Sequence, residues 1–71
     1  MDIHRIYTNS RAKLLSWAKS YSNEGLKVRA VERWGQNGYP GHSKFVLEIY
    51  NPGLSHDEFE GLVHRIWDKI R

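Results

Sequence analysis

At 71 residues with no cysteine, the chain has room for one domain, 1–71, without disulfide staples, thiolate metal sites or thiol nucleophiles. A domain this small buries only about 60% of the surface its unfolded chain exposes, so the core is expected to be shallow. The net charge of +3 is uneven: residues 1–35 carry seven Lys/Arg against three Asp/Glu, whereas 36–71 carry four against five, which biases the first half toward nucleic acid or an acidic protein.

The first element runs over Asp2 to Tyr7, where Ile3, Ile6 and Tyr7 are strand formers without clean alternation. Thr8, Asn9 and Ser10 then offer three helix caps ahead of Arg11 to Tyr21. On a helix, Leu14, Trp17, Ala18 and Tyr21 share one face with Leu15 at its edge, and Gly25 supplies a left-handed stop.

A second strand is expected from Leu26 to Trp34. Alternation puts Lys27, Arg29, Val31 and Arg33 on one face, with Leu26, Val28 and Ala30 on the other. The third strand, Lys44 to Tyr50, turns Phe45, Leu47 and Ile49 one way and exposes Lys44, Val46, Glu48 and Tyr50 on the other. The two are antiparallel, joined by Gly35 to Ser43, where Asn37-Gly38 can form the tight turn. Ser55-His56-Asp57-Glu58 reads as a capping box that opens the last helix. Phe59, Leu62, Val63, Ile66 and Ile70 form its apolar stripe, with Trp67 on the margin and Gly61 on the opposite side.

The fold class is therefore α+β: a small two-layer domain of β-α-β-β-α order, or α-β-β-α without the first strand, with both amphipathic helices on one face of a short sheet. The α-β-β-α portion resembles double-stranded RNA-binding domains in element order only, lacking a third strand between the helices and a basic start to the last helix. The longest apolar run is three residues, far below the roughly 20 that span a bilayer. Met1-Asp2-Ile3-His4 does not open a signal peptide, so a cytoplasmic protein without a membrane partner is expected.

No reaction centre is legible. His4, His42, His56 and His64 show no paired ligand spacing, and no glycine-rich segment is followed by the residues of a P-loop. Neither metal nor cofactor is expected, and the chain reads as a non-enzyme. Glu60, His64 and Asp68 stand at four-residue steps, the pattern of surface helix electrostatics. Tyr39-Pro40-Gly41-His42 can project an aromatic ring and an imidazole from a constrained loop, although a turn with a surface histidine is the simpler reading.

The expected function is accessory nucleic-acid binding, to RNA or DNA, through a basic sheet face of Lys27, Arg29, Arg33, Trp34, Lys44 and Tyr50. The alternative is a regulator, inhibitor or assembly factor that binds an acidic protein through the same surface or an open strand edge. Self-association as a two-fold dimer, using a sheet edge or the helix margins near Trp17 and Trp67, is expected with either.

Overall fold

Five elements follow in the order β1 (Ile3–Thr8), α1 (Arg11–Asn23), β2 (Lys27–Glu32), β3 (Phe45–Tyr50) and α2 (His56–Ile70) in the computed structural model, which describes residues 2–32 and 44–71. The order is the expected β-α-β-β-α. Strand bounds differ by a residue: β1 extends to Thr8, β2 starts at Lys27 and β3 starts at Phe45. The expected end of the second strand, at Arg33 and Trp34, and the connection through Ser43 lie outside the described residues.

The sheet order is β1-β3-β2, with β3 antiparallel to both neighbours. The strand that is last in sequence is thus central in space. Its composition suits that place, because Phe45, Val46, Leu47 and Ile49 are all buried. Register places His4, Ile49 and Val28 in one row, Ile6, Leu47 and Ala30 in the next, and Thr8, Phe45 and Glu32 in the third. Directly opposed residues share a face, so these three rows form the side toward the helices.

Both helices cover that side. Leu14 and Tyr21 of α1 and Phe59, Val63 and Ile66 of α2 form one buried cluster with Leu26, Phe45, Leu47 and Ile49. Trp17, Ala18, Leu62 and Ile70 pack at its margin, as their helical spacing implies. The rings of Trp17 and Trp67 meet edge to face at 5.0 Å between centroids and close the seam between α1 and α2. Coverage is incomplete over β2. Ala30, expected in the core, is exposed on the edge strand, although α1 packs against β2 and Val28 in the neighbouring row joins the margin of the core.

Local chemistry sets the element ends. The Ser10 hydroxyl accepts from the Lys13 amide at 3.2 Å and caps α1. At the other end, the Leu26 amide donates to the Tyr21 carbonyl and the Gly25 amide to that of Ser22, with Gly25 at φ 86°. This is a Schellman motif, whose associated apolar contact is supplied by the buried pair Tyr21 and Leu26. The Ser55 and Glu58 side chains form the expected reciprocal capping box at the start of α2. Between β3 and α2, Asn51 Oδ1 accepts from the amides of Gly53 and Leu54 while its Nδ2 donates to Asp2 Oδ2. That side chain ties the last connection to the start of β1.

Candidate nucleic-acid interface

The sheet face away from the helices has three cross-strand rows in register: Ile3, Tyr50 and Lys27; Arg5, Glu48 and Arg29; and Tyr7, Val46 and Val31. Strand alternation alone directs Lys27 and Arg29 here. Strand order adds Arg5, because β1 pairs with β3 and sets Arg5 opposite Glu48 from the side away from Arg29. Sequence reasoning missed Arg5. Its signal was present in the alternation of Ile3, Arg5 and Tyr7, but the side it joins depends on which strand β1 pairs with.

Glu48 is the hub of the middle row. Its Oε2 accepts from Arg5 Nε at 3.1 Å and its Oε1 from the Tyr50 hydroxyl at 3.1 Å. The Glu48 side chain retains only 13% exposure, whereas Arg5 retains 44%. Both carboxylate oxygens are therefore engaged, and the guanidinium of Arg5 keeps donors beyond Nε. Lys27 and Arg29 are exposed and make no ion pair among the described residues. Among the described residues the face holds three cations, Arg5, Lys27 and Arg29, around the one carboxylate of Glu48.

Tyr50 stands in the row below Glu48. Beside it is a recess of about 430 Å³ lined by Gly25, Lys27, Tyr50, Asn51 and Pro52. An aromatic ring, a lysine and largely apolar walls suit a planar group that carries a negative charge. Val46, by contrast, is fully buried although it was expected to be exposed. Its row neighbours Tyr7 and Val31 are both partly buried, so the third row is apolar rather than part of a polar platform.

Lys44 lies one residue before β3 and outside the ladder. It is exposed, and its amide donates to Asn9 Oδ1 at 2.8 Å, a contact that joins the end of β1 to the start of β3. Of the six expected binding residues, the structure brings Lys27, Arg29 and Tyr50 together. Arg33 and Trp34 lie outside the described residues, as does the Tyr39 to His42 loop.

A second polar cluster joins β1 to α2. His4 Nδ1 lies 3.5 Å from Glu60 Oε2, and His64 Nε2 lies 3.7 Å from Glu60 Oε1. The four-residue step between Glu60 and His64 was legible, but the approach of His4 depends on α2 crossing above β1. Asp68 pairs instead with Arg71 at 3.5 Å. Among the described residues no group of three or more His, Asp or Glu side chains is arranged to hold a metal ion. No described helix is long and apolar enough to cross a membrane.

Fold and face together define a small α+β domain with a three-stranded antiparallel sheet covered on one side by two helices. Comparison with protein-family models, with curated proteins and with solved structures finds no match to this chain.

Proposed function

We propose that the protein is an accessory nucleic-acid-binding module that receives a single strand across the outer sheet face. The observation that carries this reading is the exposed pair Lys27 and Arg29, without ion partners among the described residues, beside the Tyr50 recess. Arginine and lysine along a strand track phosphates, and a tyrosine in the neighbouring row offers a ring on which a base stacks irrespective of its identity. Glu48 limits the surplus charge and holds Arg5 and Tyr50 in place, which keeps the platform ordered. Self-association belongs to the same reading: two copies joined along the outer edge of β2 would carry their Arg29 rows onto one continuous face.

Fluorescence anisotropy with labelled single-stranded and double-stranded oligonucleotides, over a range of salt, tests the proposal. Replacing Lys27 and Arg29 by glutamine should weaken binding and flatten the plot of log affinity against log salt by about 1.4 for a single strand, or about 2 when Arg33→Gln is added. Unchanged affinity and slope in a variant with intact circular dichroism would refute this face as the binding surface. Sedimentation equilibrium checks the dimer through a mass twice 8.4 kDa.

A further inference from the structure

We infer that the recess beside Tyr50 holds the terminal nucleotide of a linear strand, one that ends in a free hydroxyl, so that the protein binds strand ends in preference to strand interiors. The inference rests on the nucleic-acid reading of the outer face and adds which part of the strand is held there.

The recess lies at one end of the sheet. Ile3, Tyr50 and Lys27 form the last cross-strand row, where β1 and β2 begin and β3 finishes. Among the residues that line the recess, Gly25 precedes β2, and Asn51 and Pro52 follow β3, so these three stand beyond that row. A nucleic-acid backbone that follows Arg29 and then Lys27 along β2 reaches these two turns at its next step.

The charge changes sign at the same place. Past the last row, the next charged residue along the chain is Glu24 on the side of Lys27 and Asp2 on the side of Ile3. Glu24 is exposed and makes no ion pair among the described residues. It caps the C-terminal end of α1, where the helix dipole is also negative. The Asp2 carboxylate accepts from Asn51 Nδ2 at 3.1 Å and lies 3.5 Å from His56 Nδ1, so it sits one hydrogen bond behind the recess wall. A phosphate carried beyond Lys27 would therefore leave a cation for carboxylates, and a strand that stops there avoids this.

The lining itself suits a base and not an anion. The Gly25 amide donates to the Ser22 carbonyl and the Asn51 amide to that of Asp2, while Pro52 has no N–H. Asn51 Nδ2 is committed to Asp2 and to the Leu54 carbonyl, and the Tyr50 hydroxyl donates to Glu48. Lys27 is thus the lining side chain with donors to spare, and it can hold the phosphate that joins the last nucleotide to the one before it. What remains is apolar wall and the Tyr50 ring, held in place through its hydroxyl, on which a terminal base of any identity stacks.

The probe is a fluorescently labelled homothymidine strand, displaced by unlabelled strands of the same sequence. One competitor is linear with two hydroxyl ends, two carry a phosphate on one end or on the other, and one is closed into a circle. The linear hydroxyl-ended strand should compete about tenfold better than the circle, near the low end of what one stacked base contributes. A phosphate on one of the two ends should cost about threefold through repulsion by the nearby carboxylates, although a basic face would otherwise welcome added negative charge. On the other end it should cost nothing. Glu24→Gln should relieve most of that penalty. Tyr50→Ala should abolish the preference for linear strands while keeping the salt dependence set by Lys27 and Arg29. The comparison of linear with circular strands leaves the protein untouched, so misfolding cannot produce its result.

Equal competition by linear and circular strands would overturn the inference and leave the outer face as a surface for strand interiors. Tighter binding of both phosphorylated strands would overturn it as well. Failure of every oligonucleotide to bind would overturn the nucleic-acid reading itself, and this inference with it.

Discussion

The hydroxyl of Tyr21 on α1 donates to the main-chain carbonyl of Val63 on α2 at 3.3 Å, in a side chain with no solvent exposure. The contact joins the two helices at the centre of the layer that covers the sheet. Burial also pushes the phenol from 10.0 up to about 12, because the ionised form loses its hydration. The unfolded chain therefore releases this proton first, and the contribution is fully present below pH 10.0 and lost as the pH rises through about 12. The loss is on the order of 2 to 3 kcal/mol. Denaturant melts between these pH values should show it in the native protein and not in Tyr21→Phe, which itself should cost about 0.5 to 1.5 kcal/mol at neutral pH.

The stripe of α2 is graded rather than uniform. Ile66 is 2% exposed, whereas Leu62 is only partly buried and packs at the margin of the cluster. Ile66→Ala should cost about 2 to 5 kcal/mol through lost transfer energy and a residual cavity. Leu62→Ala should cost less, and Leu15→Ala, at an exposed position on α1, should stay within about 0.5 kcal/mol. Urea midpoints at constant slope rank the three.

Two glycines should respond to alanine with opposite sign. A Cβ at Gly61 meets nothing within 4 Å, and the residue sits inside α2, so Gly61→Ala should stabilise by up to about 1 kcal/mol. Gly25 has equal space but a φ of +86°, and Gly25→Ala should destabilise by about 1 to 2 kcal/mol because the left-handed conformation crowds a side chain. Thermal melts of the two variants separate a backbone effect from a steric one.

Replacing Glu48 by glutamine removes the negative charge at the centre of the outer face while keeping an oxygen that can accept from Arg5 Nε. If a nucleic acid lies on this face, its affinity should rise by about threefold, the Coulomb energy of one charge roughly 7 Å away in water. The salt series used for the Lys27 and Arg29 variants measures it. An unchanged affinity would place the strand away from the middle row.

The local signals in the chain were legible because each acts over a few residues. Ser10, Gly25 and the Ser55 to Glu58 box end the helices through hydrogen bonds to neighbouring amides and carbonyls. Alternation along Lys27 to Glu32 and Phe45 to Tyr50 separates charged from core side chains without reference to any other strand. The expected exposure of Val46 and burial of Ala30 both failed for a common reason. Alternation reports a face, and only the neighbours on that face decide whether it is covered.

By itself the sequence determined both helices and their core faces, the second and third strands, the capping box of α2 and the side of β2 that bears Lys27 and Arg29, while the first strand and the choice of cap among Thr8, Asn9 and Ser10 stayed open. Strand order, and all that follows from it, was decided only in the tertiary structure. Inserting β3 between β1 and β2 brings Arg5 to Glu48 from 43 positions away and leaves β1 as an edge beneath α2. The approach of His4 to Glu60 arises in the same way. The physical reason is that pairing is a contest among whole strands for backbone partners and apolar cover, and the most apolar strand gains the centre because there it is shielded by a neighbour on each side.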